Sequence, residues 1–286
     1  MSIRSLSSVL GTSLVVGATF LASCSSSSES PSGSSGGTDA GSSGPRPTTT
    51  LFAASIKNVT VEIDYAAGAE PYFGNIEDFG DPWGLFETAT TTVFDGKKKV
   101  TFPRTLAKME KLDDVPAKSF SNADILAVAA AHKNEQEFAD NVNFYVVFLN
   151  GYWLDEAGAE QKDVLGVSIG ATNVIALFKP AISTPAMNPT PPLPFVEQIA
   201  LIHNFGHAVG FVDNGVPVGE ANKAHIDLDN GGHHCTNAKC AMSFAAERAS
   251  GAASLALVTV RKPGDPLIGN ECLSDGRLLE RAQLNQ

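Results

Sequence analysis

Five of the six histidines in this 286-residue chain fall between positions 203 and 234. Two of them, His203 and His207, lie four apart in Phe195 to Val209, a stretch apolar on nearly every side, which marks a buried helix. At that spacing the imidazoles project from one face, one turn apart. A helix presents two nitrogen ligands to a single zinc ion in this way. Gly210 follows, where a glycine can end a helix in the left-handed conformation without a Cβ clash, so the chain can turn under the histidines. The returning segment offers Asp213, His225, His233 and His234 as further ligands for a first-row metal, and Met242 comes shortly after among small residues. A lone His-x-x-x-His in a buried helix is more often a pair of core histidines; the cluster around this one points to a metal.

Residues 51 to 286 must supply the frame, and they suffice for one large domain with a sizeable core. Ser55 to Tyr65 alternates in the period of a half-buried strand, Leu85 to Phe94 reads as a helix and Lys99 to Pro103 as a short strand. A helix with an N-cap at Ser121 or Asn122 runs to about Ala139. The continuous apolar run Val142 to Leu149 predicts a buried central strand. Val164 to Ile169 and Val174 to Phe178 are two more strands, joined around Gly170, and six prolines in fifteen residues make Pro180 to Pro194 an extended connector. Beyond the helix at about 195–209 the chain is loop-like to about Met242, with a late strand at Ser254 to Val260 and a terminal helix at Gly276 to Leu284. Strands and helices mixed in this order predict an α+β fold with a loop-rich lower part.

The first fifty residues belong to no fold. Arg4, the apolar run Val9 to Leu21 and the ending Leu21-Ala22-Ser23-Cys24 predict a signal peptide over 1–23. The ending resembles the bacterial lipobox, which implies cleavage before Cys24 and lipidation of its thiol. From Cys24 to residue 50 a Ser, Gly and Pro-rich stretch is expected to be a flexible tether. Ser25 and Ser26 carry no acidic retention signal, so the expected address is the outer membrane or cell surface, with membrane contact through the lipid alone. A net charge of −11 without a basic stripe argues against nucleic acid, and a monomer is expected. In an oxidising compartment Cys235 and Cys240 could close a small disulfide loop, leaving Cys272 odd.

The run His203 to Asp213 resembles the extended zinc motif of the metzincin metallopeptidases, HExxHxxGxx(H/D), and His234-Cys235-x4-Cys240-x-Met242 resembles the HCx4CxM segment of the archaemetzincin branch. The resemblance implies a twisted mixed sheet backed by helices, with the active-site helix beneath it. It implies His203 and His207 as the first two zinc ligands, Met242 as the methionine of the turn beneath the metal, and a peptide or protein held in the cleft. The third ligand is taken as His234, which precedes Cys235 as in that pattern, with Asp213 and His225 as alternatives; His233 reads as a solvated loop residue.

Two departures bear on function. Asn204 stands where the family has a glutamate that takes a proton from metal-bound water. A carboxamide cannot do this; Glu197 lies off the ligand stripe, and Glu220 is the nearby acid that remains open. The branch also carries a further Cys-x-x-Cys pair completing a second zinc site, whereas here only Cys272 follows. That excludes a zinc held by four cysteines and makes the Cys235–Cys240 disulfide the simpler expectation. The sequence thus predicts a surface-tethered homologue of zinc metallopeptidases that keeps Zn2+ and a peptide cleft but is impaired or inactive in hydrolysis. An active endopeptidase using another acid, and a structural or adhesive lipoprotein without metal, are the alternatives.

Overall fold

Val59, Val61 and Ile63 point one way from an extended segment and are buried, which makes β1 (Asn58–Ala66) a core strand. The computed structural model describes residues 48–135, 138–184, 192–259 and 267–284. The chain divides into two units, Met1–Ser42 and Ser43–Gln286, and every described residue lies in the second. The signal peptide, Cys24 and nearly all of the tether lie outside the described residues. The helices and strands in order are α1 (Thr48–Leu51), β1, α2 (Trp83–Val93), β2 (Lys99–Thr101), β3 (Lys111–Leu112), α3 (Asn122–His132), β4 (Asn141–Leu149), β5 (Trp153–Leu154), β6 (Glu160–Gln161), β7 (Gly166–Ser168), β8 (Val174–Phe178), α4 (Lys179–Ser183), α5 (Leu193–Ala208), α6 (Phe244–Glu247), α7 (Ala249–Thr259) and α8 (Asn270–Leu284).

The main sheet has six strands in the order β2-β1-β4-β8-β7, with β3 also pairing to β1. Its pairs are parallel except β7 with β8. All nine residues of β4 are buried, as a strand covered on both faces requires. The fold is therefore a mixed α+β arrangement with a mostly parallel sheet backed by helices, as expected. Phe205 of α5 meets Phe144 of β4 with ring centroids 4.9 Å apart and Phe86 of α2 at 5.4 Å, which seats α5 against sheet and helix together.

Local signals explain several boundaries. Ser121 Oγ accepts from the Asp124 amide (3.2 Å) while the Asp124 carboxylate accepts from the Ser121 amide (2.9 Å), a reciprocal cap that starts α3. That helix ends at His132 rather than near Ala139. Gly210, at φ +93°, stops α5 as its position suggested, and the Phe211 amide donates back to the Gly206 carbonyl (3.0 Å). The proline-rich connector is not extended throughout: α4 occupies its beginning, α5 starts already at Leu193, and 185–191 lie outside the described residues.

One strand expectation is overturned. Ser254 to Val260, expected as a strand, lies largely within α7. Ala252, Leu255, Ala256 and Thr259 are buried at helical spacing, and alanine-rich sequence favours that period over the pleat. No helix among the described residues is long and apolar enough to cross a membrane.

Candidate metal centre

His203 is buried on α5, and its Nδ1 donates to the carbonyl of Ala241 (2.6 Å). That bond fixes the proton on Nδ1 and leaves the Nε2 lone pair facing inward. His207, one turn on, places its Nε2 3.1 Å from His203 Nε2, and its Nδ1 lies 3.0 Å from Asn214 Nδ2. The third ring comes from the loop: His234 stacks on His203 with centroids 5.5 Å apart and meets His207 edge-on at 5.0 Å. One ligand nitrogen from each of the three lies within 4.8 Å of the others.

Burial keeps the two rings of α5 neutral. It pushes His203 down to about 4 against the Ala241 carbonyl, and His207 well below its usual value with help from the neighbouring imidazoles. Neutral imidazole is the form that binds metal, so the donor set fits a zinc ion. Met242 packs against α5: a Cβ on Gly206 would fall 2.1 Å from its sulfur.

The alternatives for the third ligand are elsewhere. Asp213 is exposed, at φ +60° in the turn that follows Gly210, and His233 is exposed too. Glu220 is exposed and pairs with Lys223 (2.6 Å). Glu197 is fully buried, joined to Lys179 and accepting from the Tyr72 amide (2.8 Å). Asn204 faces the same cavity as the histidines, but its Nδ2 donates to the Ala200 carbonyl (2.9 Å) of its own helix.

Glu247, at the end of α6, was not singled out by sequence reasoning. Its Oε2 stands 3.1 Å from His234 Nε2 and its Oε1 3.2 Å from Arg248 Nη2. Burial works to raise its carboxyl, but the His234 and Arg248 contacts outweigh it and hold the group below its usual value, so it is an anion. No motif spacing marks it, because α6 reaches the cavity only through tertiary folding.

His225 belongs to a second cluster. Its ring, Cys235 and Cys272 are all buried, with ligand atoms within 4.8 Å of one another. Cys272 Sγ is 3.9 Å from His225 Nδ1 and 3.8 Å from Cys240 Sγ. The disulfide expected between Cys235 and Cys240 is not formed; all three cysteines are free. Cys235 groups with Cys272 and His225 instead of closing the short loop, and Cys240 stands beside Cys272 just outside that group. A tetrahedral zinc with ~2.3 Å Zn–S bonds separates its sulfurs by about 3.8 Å, so this donor set also fits the metal. Hydrogen bonds from Cys235 and Cys272, aided by the Gly269 and Met242 amides, push the Cys240 thiol well below its usual value, toward the thiolate that binds metal. Asp275, three residues after Cys272, accepts from His225 Nε2 (2.9 Å) and orients the ring. Sequence reasoning missed Asp275, although its helical spacing from Cys272 was a usable signal.

The cavity over the three histidines is also lined by Trp153 and by Gly166 to Ser168 of β7. That strand is the edge of the main sheet. No family model matches the chain, and no curated protein matches it. Among solved structures the chain is similar to an archaemetzincin from Methanopyrus kandleri, with 16% identity over 81% of this chain and 97% of that one and a TM-score of 0.38.

Proposed function

We propose that this protein is a zinc-binding homologue of metallopeptidases that holds a peptide or protein in its cleft and is impaired in hydrolysis. One observation carries the reading: three histidines converge in an open cavity beside Asn204, where hydrolysis would require a carboxylate. His203, His207 and His234 would hold the zinc, which when bound supplies Lewis-acid polarisation of a carbonyl. The free edge of β7 beside them suits an extended peptide, which could add as a strand through main-chain hydrogen bonds. His225, Cys235, Cys240 and Cys272 would hold a second zinc of structural type, with every position filled by protein. We place the protein at the outer membrane or cell surface through a lipid on Cys24.

The test pairs a zinc assay with Asn204→Glu. The variant should gain peptide hydrolysis by ~10²–10⁴-fold while its zinc content stays unchanged. Hydrolysis by the unaltered protein that His203→Ala abolishes would sink the impaired reading and favour the active endopeptidase. Protein purified without chelator and free of zinc would favour a structural lipoprotein.

A further inference from the structure

His234 and Cys235 are neighbours in sequence and belong to different donor clusters. The Asp227 amide donates to the His234 carbonyl and the Thr236 amide to the His225 carbonyl, each at 2.8 Å, around an antiparallel bridge between Ile226 and Cys235. Successive side chains of an extended segment leave on opposite faces. His234 therefore turns toward His203 and His207, and Cys235 toward Cys272 and His225. The two clusters stand back to back on one short bridge, with His225 on one of its strands and Cys235 on the other.

The bridge is also tied to the opposite side of the histidine site. The Cys235 amide donates to the Met242 carbonyl (2.8 Å), and the residue before it, Ala241, accepts from His203 Nδ1 (2.6 Å). Residues 209–243 otherwise hold turns and two 3-10 segments, so no helix or long strand fixes His234. Cys272 arrives from α8, and Asp275 of the same helix accepts from His225 Nε2 (2.9 Å). A metal joining Cys272 to Cys235 and His225 would pin both strands of the bridge to α8, and with them the His234 ring and the Ala241 carbonyl. Without it, an ion at the histidine site has to order that segment itself, at the expense of its own affinity.

We propose that the cluster of His225, Cys235 and Cys272 is the positioning element of the three-histidine site: metal there loads first and raises the affinity of the site formed by His203, His207 and His234. The proposal rests on both metal readings above and adds the order of loading and the coupling between the two sites.

Cobalt(II) is the probe, added to the metal-free full-length chain with its cysteines kept reduced. Thiolate-to-cobalt charge-transfer bands report the cysteine cluster, and the visible bands lost in His207→Ala report the histidine site. The charge-transfer bands should saturate before the histidine-site bands rise. His207→Ala gives the binding constant of the cysteine cluster alone, and Cys272→Ser that of the histidine site alone. The product of the two constants in the unaltered chain should exceed the product of these by at least about tenfold, since coupled sites commonly differ by ~5–150-fold.

A packing role for Cys272 would weaken the histidine site of Cys272→Ser as well, so a second readout leaves that residue in place. One zinc equivalent added to His207→Ala should slow hydrogen exchange of the Asp227 and Cys235 amides by at least about tenfold. That measurement and the order of filling in the unaltered chain still decide the matter if Cys272→Ser does not fold. Histidine-site bands that rise first or alongside the charge-transfer bands, a ratio of products near one, or amide exchange indifferent to zinc overturns the proposal and leaves both metal readings standing. Absence of either set of bands in the unaltered chain overturns the corresponding metal reading and this proposal with it.

Discussion

Gly206 of α5 and Met242 are in contact: a Cβ on Gly206 would lie 2.1 Å from Met242 Sδ and 3.2 Å from its methyl carbon. Alanine normally favours a helix interior by ~1 kcal/mol over glycine. Here the added methyl must displace a fully buried methionine, and overpacking of that kind costs about 1–3 kcal/mol. Gly206→Ala should therefore lower stability in denaturant titration, against its helix propensity. A more stable variant would show that Met242 can move aside freely.

Two zinc equivalents per chain are expected from the two donor clusters. His203→Ala should remove one with little effect on thermal stability. Cys272→Ser should remove the other and destabilise by ~3 kcal/mol or more, because structural zinc binding contributes roughly 10–16 kcal/mol in small zinc-finger peptides. Metal analysis and melting of the two variants check the assignment; equal melting losses would contradict it.

Asp64 gives a pH dependence with a defined sign. Burial raises its carboxyl from 3.8 to about 6, against the pull of the Glu110 amide. Between those values the folded chain keeps a proton that the unfolded chain releases, so stability falls as pH rises from about 4 through 6. The span corresponds to ~3 kcal/mol. Asp64→Asn should flatten this part of the stability-versus-pH curve; an unchanged slope would assign it to other groups.

Lys179 is the charge facing buried Glu197, and it also lies 3.3 Å from the centre of the Tyr72 ring. Lys179→Met leaves a carboxylate without a cation in the core, at a cost of ~3–5 kcal/mol. Adding Glu197→Gln should recover part of that loss. A double variant less stable than Lys179→Met alone would rule out the charge explanation.

Features that depend on near neighbours along the chain were legible in the sequence. The four-residue spacing put His203 and His207 on one helix face, Gly210 ended that helix, and the unbroken apolar run of β4 marked the centre of the sheet, because helix and strand periods are local properties. Ser254 to Val260 misled because a short alternating apolar run suits either period, and the buried spacing that decides for α7 exists only after packing. Tertiary structure alone decided which donors share a metal. Between Gly210 and Met242 the chain has two 3-10 turns and no long element, so spacing there fixes no direction, and only the folded loop carries His234 to the first cluster and His225 to the second. The same holds for Cys272 and Glu247, which arrive on separate helices. Coordination depends on distances of a few ångströms between segments far apart in sequence, and those distances are set by how the helices pack.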